Sequence, residues 1–227
     1  MINYTSENSS PITSTNDLLT KVFYRMFLGL LATAIAAGYT FYSGALESLI
    51  ESGSFTFLFI AEIVVVLCFS LGFRKFSSGV VTGLFFAYAI LTGVTFSTLF
   101  AVYELSSIVY TFGGTALIFG ALAYVGKTTN KDLSNLGTIL SVTLIVGIII
   151  SIINLFIGNT MVDIILDWVI LFIFMGFTVY DMNKITHIQE EGVADEEKLY
   201  VYGAMELYLD FINIFLRILS LFGKRRK

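Results

Sequence analysis

Charge is scarce in this sequence. Aspartate, glutamate, lysine and arginine make up only 13% of its 227 residues, against roughly 25% in a soluble globular domain, so the chain reads as a polytopic membrane protein whose solvent is mostly lipid. Cysteine occurs once, as Cys68 inside an apolar run, which excludes an internal disulfide and a cysteine metal cluster. There is no glycine-rich phosphate loop, no zinc-ligand spacing and no basic surface with interleaved aromatics, so nucleic acid is not expected as a partner. The opening stretch MINYTSENSSPITSTNDLLT, with the single proline Pro11, lacks the basic start and small-residue cleavage site of a secretory signal. Residues 1–20 are therefore expected to form a disordered cytoplasmic tail kept in the mature protein, the first apolar helix acting as its own insertion signal.

What is present is apolar: 56% of the residues are hydrophobic. Seven apolar runs lie near residues 23–42, 54–73, 79–103, 107–126, 137–157, 161–181 and 202–222. Each is long enough for a helix to cross a hydrocarbon core of about 30 Å at about 1.5 Å per residue. A transmembrane barrel is excluded, because its strands alternate while LGTILSVTLIVGIIISIINLFI is apolar on every face for a full span. The fold expected is an all-α membrane protein, a seven-transmembrane helix bundle over residues 21–222 with a basic C-terminal tail at 223–227. Glycines in YRMFLGLLATAIAAGY and TFGGTALIFGALAYVG suit close helix packing.

Basic residues alternate between connections. Lys21 and Arg25, Arg74 and Lys75, Lys127 and Lys131, then Lys184 and Lys198 mark one side, while the other carries Glu47, Glu51 and Glu104. This asymmetry predicts a cytoplasmic N-terminus. The tail GKRRK breaks it: either the other connections outvote it, or the last run is re-entrant. His187, in the longest charged connection, is expected to be exposed.

The last run holds the chemistry. In ELYLDFINIFLRIL, Glu206, Asp210, Asn213 and Arg217 recur at intervals of four, three and four, so they share one helix face. A carboxylate at Asp210, near mid-membrane, costs roughly 2.5 to 3.5 kcal/mol on insertion scales and must be protonated, paired, or in contact with water or a cation. Asp181 closes the sixth run. A tilt or break in the last helix would bring it to Asp210, and two close carboxylates share a proton and hold a hard cation such as calcium. Glu62, a third intramembrane acid, either pairs with Arg217 or lines the same path as Asp210. Arg74 is either an ionic partner of Asp181 or a plain interfacial anchor. Acids on a water-filled route favour cations over anions.

VYDMNKI, Val179 to Ile185, followed some twenty residues later by ELYLDFINIFLRIL, closely resembles the signature of the transmembrane Bax-inhibitor-motif family. The resemblance extends over nearly the whole chain after residue 20, including GFRK and KDLSNLG. It implies a bundle with the last helix central, and a pH-sensitive calcium leak gated by an aspartate pair, here Asp181 and Asp210. It implies also that Arg74, with Lys75 as the register alternative, latches the first aspartate, and that Glu62 is the acid of the second helix. Glu206 departs from the family pattern, which has a neutral residue there, so calcium affinity and pH midpoint do not carry over.

The site expected is thus Asp181 and Asp210 as pH-sensing and metal-contacting pair, Arg74 as latch, and Glu62, Glu206, Asn213 and Arg217 as a supporting polar interior. No cofactor is expected beyond Ca2+ as the transported or bound ion. The partners expected are calcium ions, protons and membrane lipid, in a bacterial inner membrane. An intramembrane aspartyl hydrolase is disfavoured, since Asp210 lies in YLDF and not in a glycine-rich GxGD-like element; the chain is read as no enzyme. A calcium/proton exchanger and a non-transporting regulatory membrane protein are the alternatives.

Overall fold

The computed structural model describes residues 15–187 and 195–226. Residues 1–14 of the expected tail, residues 188–194 of the charged connection and Lys227 lie outside the described residues. Eight helices follow in order: α1 (Thr15–Tyr42), α2 (Ala45–Glu51), α3 (Phe55–Gly72), α4 (Ser78–Val102), α5 (Leu105–Thr128), α6 (Ser134–Ile157), α7 (Thr160–His187) and α8 (Glu196–Phe222).

The expected seven-transmembrane bundle is corrected by this architecture. Among the described residues, six helices are long and apolar enough to cross a membrane, not seven: α1, α3, α4, α5, α6 and α7. Helix α8 is not among them. A lipid-facing span offers apolar side chains all round, whereas α8 carries Glu206, Asp210, Asn213 and Arg217 and turns most of its surface to protein. It packs on α1, α4, α5 and α7, with both Leu207 and Tyr208 fully enclosed. The small helix α2, in the connection between the first two spans, adds the eighth element.

Lipid-facing surface lies elsewhere. On α3 and α6 residues such as Ile63, Leu67, Ile145 and Ile152 are exposed, an apolar belt that belongs in hydrocarbon and not in water. Two glycines set helix spacing. A Cβ on Gly93 of α4 would stand 2.5 Å from the Thr33 carbonyl oxygen of α1, and one on Gly126 of α5 would stand 2.5 Å from the Val179 carbonyl oxygen of α7. Only glycine lets these backbones approach so closely.

The helix ends explain two boundaries. Residues 15–20, expected as tail, form the start of α1, where Leu18, Leu19 and Val22 are buried. Helix α8 starts at Glu196, six residues before the expected run, because Asp195 caps it: its side chain accepts the Lys198 backbone N–H at 3.2 Å, and Glu196 and Glu197 complement the helix dipole.

The continuity of α8 answers the question of re-entrance. It runs unbroken to Phe222, and the tail then docks on the α4–α5 connection at the end opposite Arg74. There the Glu104 N–H donates to the Lys224 carbonyl at 3.0 Å and the Arg226 N–H to the Val102 carbonyl at 2.8 Å. The Lys224 ammonium meets the Glu104 carboxylate at 2.8 Å. At the Arg74 end, α1 and α8 start side by side, tied by the Arg25–Glu197 ion pair and by Lys21 donating to the Tyr200 hydroxyl at 3.1 Å. His187 is exposed at the end of α7.

Candidate functional site: a carboxylate cluster between α7 and α8

Helices α7 and α8 run antiparallel along each other, and Asp167, Asp181, Glu206, Asp210 and Arg217 lie on these two helices. Asp181 lies six residues inside the end of α7, not at its terminus, and is 4% exposed; Asp210 of α8 is 3% exposed. Asp181, Glu206 and Asp210 feel one another's charge. Thr178, one turn before Asp181, lies against Asp210 while donating its own hydroxyl to the Phe174 carbonyl at 2.9 Å. One oxygen of Asp210, Oδ2, is buried without a hydrogen-bond partner. A buried carboxylate in that condition is costly unless a proton or a cation joins it. The break in the last helix that sequence reasoning allowed for is not needed: the juxtaposition is made by two continuous helices.

Glu206 is half-buried and lines a cavity of about 690 Å³ between the end of α3 and α8, together with Ser70, Arg74, Lys184, Tyr202 and Leu209. Arg74 therefore faces the antechamber of the cluster. It is exposed and forms no ion pair among the described residues, so it does not sit on Asp181. The cation whose charge does reach Asp181 is Lys184. Its ammonium donates to the Tyr202 hydroxyl at 2.7 Å and lies 5.0 Å from the centre of that ring. The signal was in the sequence: Lys184 follows Asp181 by three positions, which puts both on one helix face.

The other members of the stripe have separate tasks. Asn213 folds its amide back to the Leu209 carbonyl of its own helix at 2.8 Å. Arg217 donates to Asp167 Oδ1 at 2.6 Å, and Ser220 donates to Asp167 Oδ2 at 2.5 Å. Arg217 is thus paired with α7, and of the two roles open to Glu62 the pairing with Arg217 is not the one seen. Glu62 accepts the Thr95 hydroxyl, and its charge reaches Tyr88 and Tyr208. Tyr208 and Thr33 share a hydrogen bond of 2.7 Å, and Thr33 donates to the Ala89 carbonyl at 2.9 Å. This second polar group, joining α1, α3, α4 and α8, escaped the sequence reading; the signal was a tyrosine in an apolar run, whose hydroxyl needs a partner once buried.

Among the described residues no three of His, Cys, Asp or Glu are gathered closely enough to cage a metal ion.

Six apolar spans among the described residues and a lipid-facing belt define a multi-pass integral membrane protein. The chain belongs to the Bax-inhibitor family: the family model described as Inhibitor of apoptosis-promoting Bax1 matches residues 15–227. It is 37% identical over 214 residues to the Inner membrane protein YbhL of Escherichia coli K12, covering 92% of each chain. It is 36% identical over 231 residues to an uncharacterised protein of Borreliella burgdorferi, covering 100% of this chain and 99% of the other. An uncharacterised protein of Rickettsia prowazekii is 33% identical over 225 residues, covering 98% and 95%.

Proposed function

We propose that this chain is a pH-sensitive calcium leak of a bacterial inner membrane, with its N-terminus in the cytoplasm and the Asp181–Asp210 pair on the cation path. The observation that carries the reading is the partnerless carboxylate oxygen of Asp210, buried beside Asp181 and Glu206. A cavity leads from the Arg74 end to Glu206, one helical turn from Asp210, and a bacterial inner-membrane protein stands among the relatives. In this reading calcium is cargo, drawn by negative charge through Glu206 to the pair. Protonating one aspartate weakens both its repulsion of the other and its hold on the ion, so pH sets the balance of open and closed forms. The aspartates act by passage and not by bond cleavage. Arg74, facing the cavity, adjusts the field at its mouth.

The test is calcium flux into liposomes holding the purified protein, from about pH 5 to 8 across the range where coupled carboxylates titrate. The unchanged chain is expected to pass calcium in a pH-dependent way. Asp210→Asn, still folded, is expected to lose at least about tenfold in rate and to flatten the pH profile. Absence of flux at every pH sinks the transport reading and leaves a regulatory membrane protein. Uptake driven uphill by a proton gradient replaces the leak with an exchanger.

A further inference from the structure

We propose that Lys184, held by Tyr202, is a resident counter-cation at the mouth of the carboxylate cluster, which an incoming calcium ion must displace. The inference rests on the leak reading and names the group that regulates that path.

Lys184 occupies a junction. It lines the cavity of about 690 Å³ that reaches Glu206, and also a second cavity of about 390 Å³ bounded by Asn130, Lys131, Asp132, Tyr180 and His187. An ion arriving at Glu206 through the wider cavity passes this ammonium. A lysine serving only as an interfacial anchor extends its ammonium into water. This one is half-buried and turned sideways, donating to the Tyr202 hydroxyl at 2.7 Å, with its ammonium 5.0 Å from the Tyr202 ring centre and 5.9 Å from that of Tyr180.

The tether is neutral, and that decides its role. Hydroxyl and ring faces hold the ammonium without cancelling its charge, and Lys184 forms no salt bridge among the described residues. Its positive charge therefore remains available to Asp181, three positions earlier on the same face of α7. Of the cations on other elements at this end, Arg25 is committed to Glu197, Lys21 donates to the Tyr200 hydroxyl, Arg74 stands across the wider cavity and Lys131 lines the smaller one.

The experiment measures initial calcium uptake against calcium concentration in proteoliposomes at one fixed pH, for the unchanged chain, Lys184→Gln, Lys184→Arg and Tyr202→Phe. Removing the resident charge is expected to lower the half-saturating calcium concentration by at least about threefold. Lys184→Arg is expected to stay near the unchanged value, and Tyr202→Phe, which loosens the tether, to move in the same direction as Lys184→Gln by less. If the unchanged chain conducts and Lys184→Gln shows the same half-saturation, the inference is overturned while the leak stands. If the unchanged chain does not conduct, the leak reading fails first and takes this inference with it. Should Lys184→Gln not fold, Tyr202→Phe decides: an unshifted half-saturation there overturns the tether.

Discussion

The two halves of the α7–α8 seam treat a buried aspartate in opposite ways. Towards the Glu104 end, Asp167 has each carboxylate oxygen answered, one by Arg217 and the other by Ser220. Towards the Arg74 end, Asp210 keeps one oxygen without a partner, and its charged neighbours include two further acids. Both aspartates sit on the same helix pair, Asp167 on α7 and Asp210 on α8. A paired acid fixes the register of two helices; an unsatisfied acid keeps a standing demand for a proton or a cation.

Substitutions at the two ends should separate these roles. The largest effect is expected from Arg217→Ala, which strands the Asp167 carboxylate and should cost about 3 kcal/mol, read as lowered thermal stability in detergent. The double change Asp167→Asn with Arg217→Gln removes both charges together and should recover most of that loss, to within about 1 kcal/mol of the unchanged chain. A double variant no better than Arg217→Ala would show that packing, not charge, holds that end. Asp210→Asn is expected to have the opposite sign, raising stability by about 1 kcal/mol as it relieves the crowding of acidic groups at Asp181 and Glu206. A loss of stability there would erase the contrast between the two ends.

The smallest effect concerns an acid outside the spans. Asp132, before α6, accepts the Ser134 hydroxyl at 2.6 Å and the Ser134 backbone N–H at 2.9 Å, and these bonds hold its carboxyl below the ordinary carboxylate range. A depressed folded-state value gives a contribution that is present above the unfolded-state pKa and lost as pH falls through the folded one. Amide-exchange protection at Ser134 should therefore weaken on acidification in the unchanged chain and lose that dependence in Asp132→Asn.

Most of the bundle was legible because continuous apolar runs leave few alternatives to a buried or lipid-facing helix. What periodicity could not tell is which of the two a run becomes. Leu207, Ile214 and Leu219 read the same against lipid as against protein, and that ambiguity produced the count of seven. The start of α8 was missed because Asp195, Glu196 and Glu197 look like loop until the cap bond to Lys198 is seen. At the site, Asp181 and Asp210 stood out as charges in apolar surroundings, and the structure puts them within reach of each other's charge. The partner of Arg217 did not stand out, although Asp167 precedes Asp181 by fourteen residues, close to four turns and so the same face of α7. Arg74, the latch that the family resemblance implies, forms no ion pair among the described residues, while the charge of Lys184, inconspicuous as a loop residue in the sequence, reaches Asp181.

The enclosure of α8 also bears on how the protein is made. Synthesis is vectorial, so α1 through α7 leave the ribosome before the helix they surround. Until then the faces of α1, α4, α5 and α7 that will hold it stand open, with Asp181 and Asp167 uncovered in a cleft. Docking of residues 223–226 on the α4–α5 connection then ties the end of α8 at the face opposite Arg74, so the last contacts to form join the chain's end to its own middle.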